Sequence, residues 1–137
     1  MIEKALQEKD LQILFPIIDD YICKGVRIIL LQGDLASGKT TLVQKYIKSK
    51  NPKFQATSPT FNFVQQYGNF YHYDLYHHSL EKFLYFGFLE QLENDGIHFI
   101  EWGEEDLADI LKNSGYNYLT LKITKETTHR IYRIIYE

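Results

Sequence analysis

The sequence has little cysteine, no excess of basic residues and no long apolar run. Cys23 is the only cysteine among 137 residues, which excludes an intrachain disulfide and a zinc site built from cysteines. Lysine and arginine total 15 against 18 acidic residues, and the net charge of −3 is not that of an autonomous nucleic-acid binder. We therefore expect no binding to DNA, and only indirect contact with RNA if RNA is involved.

Apolar stretches are short throughout the chain. None approaches the ~20 residues that a membrane-spanning helix needs, and residues 1–10 lack the apolar core of a signal peptide. The expected location is therefore the cytoplasm, with no membrane partner. The length predicts a single domain over residues 1–137.

Several catalytic and metal-binding motifs are also absent. The five histidines show no H-E-x-x-H spacing, and no G-x-S-x-G nucleophile motif occurs. His72 could be catalytic, but a structural role is the simpler interpretation. No N-K-x-D motif is present to read a guanine base, so ATP is favoured over GTP.

Hydrophobic periodicity predicts alternating helices and strands. Residues 26–31, V-R-I-I-L-L, are nearly all apolar, as in a strand that a parallel sheet buries on both faces. Pro16 should kink or break the first helix, and Gly68-Asn69 should form the turn of a hairpin. We expect helices over residues 5–24, 41–49, 79–93 and 104–112, and strands over residues 26–31, 61–66, 70–73, 97–100, 116–124 and 129–136. This order favours an α/β sandwich whose central, mostly parallel sheet carries antiparallel additions.

The sharpest motif is G-D-L-A-S-G-K-T at residues 33–40, which matches the P-loop pattern G-x-x-x-x-G-K-[ST]. Its glycines let backbone N–H groups face phosphate oxygens, and the following helix presents its positive dipole end. Lys39 should reach the β- and γ-phosphates of ATP, and the Thr40 hydroxyl should bind Mg²⁺. The predicted nucleotide contacts are Gly33, Asp34, Leu35, Ala36, Ser37, Gly38, Lys39, Thr40 and Thr41. The predicted fold is accordingly the three-layer sandwich of P-loop NTPases.

A P-loop ATPase also needs a carboxylate near Mg²⁺, usually where a neighbouring apolar strand ends. Glu101 follows I-H-F-I, and Asp74 follows F-Y-H-Y, so both qualify. Either could instead be a strand-end cap or part of a surface salt bridge. A hydroxyl in T-S-P-T, residues 57–60, could sense the γ-phosphate, or the segment is an ordinary turn. Trp102 either packs over the nucleotide or fills a strand end.

Four motifs in one order resemble the TsaE family, the ATPase subunit of the bacterial machinery that makes N6-threonylcarbamoyladenosine in tRNA. They are G-D-L-A-S-G-K-T-T at residues 33–41, S-P-T-F at 58–61, H-Y-D-L-Y at 72–76 and E-W at 101–102. The resemblance implies that Asp74 is a second acidic residue near the metal and that Thr60 is the switch threonine. The implied catalytic residues are Lys39, Thr60, Asp74 and Glu101, the implied metal ligands are Thr40, Glu101 and Asp74, and Trp102 and Arg130 are implied nucleotide contacts.

The resemblance also implies partners and a role. Family members act with TsaB and TsaD, while TsaC supplies threonylcarbamoyl-adenylate. ATP hydrolysis is implied to reset the TsaB–TsaD complex between turnovers, and tRNA is met indirectly through that complex. The implied cofactors are ATP or ADP and Mg²⁺.

The sequence departs from the family pattern in three places. Gly103 replaces the usual Pro, which predicts a looser turn after Trp102. His77 replaces the usual Arg, which removes a permanent cation. The early Glu-Thr nucleotide contact of the family has no counterpart in the region of Glu8.

Two other functions remain open from the sequence. A small-molecule P-loop kinase would need an arginine-bearing lid over the phosphates, and residues 76–115 contain no arginine. A regulatory nucleotide-binding module without useful hydrolysis is the other alternative.

Overall fold

The computed structural model describes residues 1–54, 64–76 and 79–136, and the structural statements that follow concern these ranges. A 3-10 helix at Glu8–Leu14 precedes the first α-helix. The strands are β1 (Ile2–Leu6), β2 (Ile28–Gln32), β3 (Val64–Tyr67), β4 (Phe70–Asp74), β5 (Ile97–Glu101), β6 (Tyr118–Lys125) and β7 (Arg130–Ile135). The α-helices are α1 (Phe15–Cys23), α2 (Lys39–Lys50), α3 (Leu80–Tyr85), α4 (Phe88–Gln91) and α5 (Glu105–Asn113).

All of these strands join one sheet in the order β1-β7-β6-β2-β5-β4-β3. Its centre is parallel, because β2 pairs in parallel with β5 and β6, and β5 pairs in parallel with β4. Its two edges are antiparallel, with β7 and β1 beyond β6 and with β3 beyond β4. The predicted mostly parallel sheet with antiparallel additions is confirmed.

Helices cover both faces of the sheet. Every residue of β2 is buried, and successive side chains of a strand point to opposite faces. Ile29 and Leu31 belong to a core shared with the 3-10 helix, α1 and α2. Ile28 and Leu30 belong to a second core, shared with α3, α4 and α5. The sheet is therefore the middle of three layers. The loop that follows β2 lies at one edge of the sheet, and both helical layers flank that edge.

The helix predicted over residues 5–24 is wrong at its beginning. Residues Ile2–Leu6 form the edge strand β1, with Ile2 opposite Ile134 and Leu6 opposite Arg130. An edge strand with three exposed residues in five carries little apolar alternation, so its pairing is decided by β7 and not by its own pattern. Pro16 is the second residue of α1, in the first turn of the helix, where proline is tolerated.

The helix predicted over residues 79–93 is two short helices. Gly87 has a φ of 88° and lies between the end of α3 and the start of α4. Only glycine adopts this left-handed conformation without steric cost, so the chain changes direction here. No helix in the described ranges is long and apolar enough to cross a membrane.

His98 is a buried histidine whose two ring nitrogens are both engaged. Nε2 lies 2.9 Å from the carbonyl oxygen of Asn94, which can only accept, so Nε2 carries the proton. Nδ1 therefore accepts from the Tyr73 hydroxyl, 2.8 Å away. Burial lowers the pKa of His98, and the hydrogen bond to Asn94 offsets this only in part.

This environment predicts a loss of stability in mild acid. Below a pH of about 6.5 the unfolded chain binds a proton at residue 98 that the folded protein excludes. The free energy of unfolding should fall by about 1.4 kcal/mol per pH unit between the unfolded-state and folded-state pKa values.

Urea unfolding at pH 7.5 and 5.5 measures the effect. The His98→Asn variant should lose less than the wild type over this interval, whereas His129→Asn, in the β6–β7 connection, should lose as much. Equal losses in wild type and His98→Asn would contradict the assignment.

Candidate nucleotide and metal site

A cleft of about 530 Å³ opens where parallel strands β2, β4 and β5 end. Ligands of open α/β sheets bind at this carboxyl edge. The loop after β2 forms one wall, and the ends of β4 and β5 form the other. The lining residues are Leu35, Ala36, Ser37, Gly38, Lys39, Thr40, Thr41, Asp74, Tyr76, Glu101, Trp102 and Arg130. The cleft thus brings together most of the site residues predicted from the sequence.

The loop between β2 and α2 is tightly curled. Gly33 has a φ of 151° and Gly38 a φ of 105°, and Ala36 between them also adopts a positive φ, of 61°. A Cβ on Gly33 would lie 2.7 Å from both the Ile123 carbonyl oxygen and the Ser37 hydroxyl oxygen, so a side chain cannot fit there. Ser37 N–H donates to the Asp34 carbonyl, which closes the turn. Helix α2 then begins at Lys39 with its N-terminal N–H groups directed toward the cleft edge.

Lys39 is the cation at the centre of the loop. Its Nζ donates to the carbonyl oxygens of Gly33 at 2.7 Å and Asp34 at 2.9 Å. The same ammonium lies 3.8 Å from the centre of the Trp102 ring, within cation–π range. Burial lowers the pKa of Lys39, while the nearby carboxylates, Glu101 first, oppose this shift. The lysine is thus held inside the loop by carbonyls and an aromatic face, ready to interact with an anion.

Glu101 lies beneath the loop at the end of β5 and is 4% exposed. Both carboxylate oxygens accept from the Thr40 hydroxyl, at 2.7 and 2.8 Å, and Oε2 also lies 2.5 Å from His72 Nε2. Burial alone would raise the pKa of Glu101. The hydrogen bonds from His72 and Thr40, with the charge of Lys39, outweigh burial and lower that pKa. Glu101 therefore presents anionic oxygens beside the Thr40 hydroxyl.

Asp74 lies opposite Glu101 in the parallel pairing of β4 with β5. Unlike Glu101 it is exposed, and its Oδ1 accepts from the Tyr76 backbone N–H at 3.0 Å. The strand ends thus place one buried and one exposed carboxylate side by side at the cleft.

Trp102 adopts a strained backbone conformation at the mouth of the cleft. Its φ is 65°, which costs a bulky residue roughly 1–2 kcal/mol. The backbone N–H of Trp102 donates to the Leu31 carbonyl at 2.9 Å, and the centroids of the Trp102 and Tyr76 rings are 4.8 Å apart. In the turn that follows, Gln32 Nε2 donates to the Gly103 carbonyl at 2.8 Å. The structure thus keeps the Trp102 ring over Lys39.

Arg130, at the start of β7, reaches the same cleft from the opposite end of the chain. A Cβ on Gly38 would lie 3.5 Å from Arg130 Nε, so the guanidinium group packs against the loop. This Nε is buried without a hydrogen-bond partner, and no other side-chain N or O in the described ranges is in that condition. Arg130 therefore adds a second cation to the lining of the cleft.

The donor set fits Mg²⁺ bound to a nucleotide. Mg²⁺ prefers oxygen ligands and is commonly held by one or two carboxylates together with substrate phosphates. Thr40, Glu101 and Asp74 supply such oxygens at one place. No cluster of three His, Cys, Asp or Glu side chains able to hold a metal by itself occurs in the described part of the chain. The residues thus suit a metal shared with phosphates better than a protein-only cage.

Two predicted positions lie outside the described residues. Thr60, with the remainder of residues 57–61, is in the range 55–63, and His77 is in the range 77–78. Their predicted roles stay predictions.

His72, for which a structural role was expected, is 7% exposed and hydrogen-bonded to Glu101. The signal was available, since His72 and Asp74 are two positions apart on one strand and therefore share a face. Asp74 was assigned to the site, and His72 follows from the same periodicity. The contact with Glu101 needed the pairing of β4 with β5.

A family model described as "Threonylcarbamoyl adenosine biosynthesis protein TsaE" matches residues 4–133. The chain belongs to the TsaE family. Proteins named tRNA threonylcarbamoyladenosine biosynthesis protein TsaE are similar to it. The Haemophilus influenzae protein is 33% identical over 65% of this chain and 63% of its own length. The Aquifex aeolicus protein is 39% identical over 62% and 64%, and the Borreliella burgdorferi protein 39% identical over 71% and 74%. The matched segments thus cover less than two thirds of the first two of these TsaE proteins.

The solved structure of Bacillus subtilis YdiB shares the fold. It superposes with a TM-score of 0.63 at 17% identity, over 96% of this chain and 82% of that protein. The likeness supports the α/β architecture of this TsaE-family chain.

Proposed function

We propose that this TsaE-family chain is a Mg²⁺-dependent ATPase of the cytoplasm that supports synthesis of N6-threonylcarbamoyladenosine in tRNA. The observation that carries the proposal is the contact of Thr40 with both oxygens of Glu101, beside the curled loop that holds Lys39. In P-loop ATPases these are the positions of the metal-binding hydroxyl, the metal carboxylate and the phosphate-binding lysine.

Each cleft residue has a part in this proposal. Lys39 and the N-terminus of α2 bind the β- and γ-phosphates, and Arg130 adds a second cation against the loop. Thr40, Glu101 and Asp74 would hold Mg²⁺, and the bound ion would supply charge neutralisation for the phosphates. Trp102, above Lys39, limits the access of water to the phosphates. Thr60 is proposed as the switch residue that contacts the γ-phosphate.

The proposed partners are TsaB and TsaD. ATP hydrolysis resets their complex between rounds of tRNA modification, and the tRNA is met through that complex. A net charge of −3 supports this indirect role, because a protein that gripped tRNA alone would present a basic surface.

Multiple-turnover modification of tRNA tests the proposal. TsaB, TsaD and TsaC are incubated with tRNA, threonine, bicarbonate and ATP, with the wild-type chain, with Lys39→Ala or with neither. We expect the wild type to sustain modification beyond one round per TsaB–TsaD complex, and the variant to stop near one round. The modified nucleoside is counted by mass spectrometry after digestion.

The two other outcomes are informative. Equal modification in all three reactions would reject the role in tRNA modification. Transfer of the ATP phosphate to a small molecule by the chain alone would favour a P-loop kinase instead.

A further inference from the structure

His72 is placed so that it can control the direction of the Glu101 carboxylate. Its Nε2 lies 2.5 Å from Glu101 Oε2, and the two side chains are only 8% and 6% exposed. A buried carboxylate has few ways to replace a lost donor, because water does not reach it freely. Whatever holds His72 therefore holds Glu101 as well.

Gln44 and Tyr67 hold His72 from the other side. Gln44 Nε2 is 3.0 Å from the Tyr67 hydroxyl and 3.4 Å from His72 Nδ1. A side-chain amide has two N–H donors, so Gln44 can serve both acceptors. With Nδ1 accepting, Nε2 carries the proton and donates it to Glu101. Both ring nitrogens of His72 are then engaged, which fixes the plane of the imidazole.

These residues come from separate elements that meet only in the folded protein. Tyr67 is on β3, His72 on β4, Glu101 on β5 and Gln44 on α2. Helix α2 also carries Thr40, which donates to the same carboxylate. The carboxylate is therefore fixed from both sides, by Thr40 from α2 and by His72 from the sheet.

We propose that His72, supported by Gln44 and Tyr67, is the positioning residue that orients Glu101 for Mg²⁺. The proposal rests on the proposed function, since it assigns His72 a part in metal binding at the same site. Groups that orient a metal ligand by hydrogen bonds commonly contribute 10–100-fold to metal affinity. His72 does not line the cleft, so its effect should be confined to the metal.

Calorimetric titrations of ADP and MgCl₂ separate these effects. The His72→Leu variant should need about 10-fold or more MgCl₂ than the wild type to reach half-saturation with ADP present. Its affinity for ADP in EDTA should not change. His72→Gln should recover part of the loss, because a glutamine N–H can donate to Glu101 Oε2. Gln44→Leu should shift the MgCl₂ midpoint in the same direction by less. His129→Leu makes the same substitution outside the site and should have no effect.

Three results would overturn the proposal. Equal MgCl₂ midpoints for wild type, His72→Leu and Gln44→Leu would show that His72 does not orient Glu101. An equal loss of ADP affinity with and without Mg²⁺ would show a general structural role. If wild type bound ADP without any response to Mg²⁺, the proposed function would fail together with the inference, which sets this result apart from the first two. Should His72→Leu fail to fold by circular dichroism, His72→Gln and Gln44→Leu carry the comparison.

Discussion

The Lys39→Ala variant should lose ATP hydrolysis and bind nucleotide weakly. Lys39 Nζ is held at the carbonyls of Gly33 and Asp34, where it can move onto incoming phosphates without leaving the loop. Removing one such charge-stabilising donor typically lowers the rate by about 10²–10³-fold. Phosphate release under excess MgATP measures the rate, and calorimetry with ADP measures the affinity.

Lys45→Ala provides the matched control for this variant. Lys45 is an exposed lysine of the same helix and does not line the cleft, so its loss should leave both quantities unchanged. Because Lys39 also packs under Trp102, thermal melting of the variant must show an intact fold. A folded Lys39→Ala protein that hydrolyses ATP at the wild-type rate would refute the P-loop assignment.

The Glu101→Gln variant should lose the response to Mg²⁺ while it keeps nucleotide binding. A neutral amide is a weak ligand for Mg²⁺, so hydrolysis should fall by about 10²-fold or more, as when a catalytic electrostatic group is removed. In EDTA the variant should bind ADP at least as tightly as the wild type, because a carboxylate that repels the phosphates is gone. Titration of MgCl₂ into each protein with ADP shows the difference directly.

Glu104→Gln is the control for Glu101→Gln. Glu104 is exposed and lies three residues further along the chain, outside the cleft lining. This variant should retain the Mg²⁺ response. If Glu101→Gln also retained it, the metal carboxylate would have to be another residue, and Asp74 would be the first to examine.

The local elements were predictable because their signals are contiguous. The loop at residues 33–40 carries its glycines, lysine and threonine in one run, and β2 before it is apolar on both faces. The four residues before Glu101, I-H-F-I, predict a strand that ends at this position, and β5 does end at Glu101. A helix such as α5, with three buried apolar residues on one side, follows from the same periodicity.

The errors arose where a distant segment decides the local structure. Apolar and polar residues alternate only weakly in β1, and this strand forms because its backbone pairs with the antiparallel strand β7. Helices α3 and α4 were predicted as one because the apolar spacing continues through Gly87, whose positive φ turns the chain. In both places tertiary pairing or a single backbone angle outweighed propensity.

By itself the sequence determined most of the α/β order of elements, the glycine loop at residues 33–40 and the two carboxylates at strand ends, since these depend on residues close together in the chain. Only the tertiary structure decided which groups meet. The pairing of β4 with β5 brings His72 to Glu101, and the turn after β5 sets Trp102 over Lys39. The pairing of β6 with β7 brings Arg130 against Gly38. Strand register and sheet order are set by packing across the whole core, and no local pattern records them.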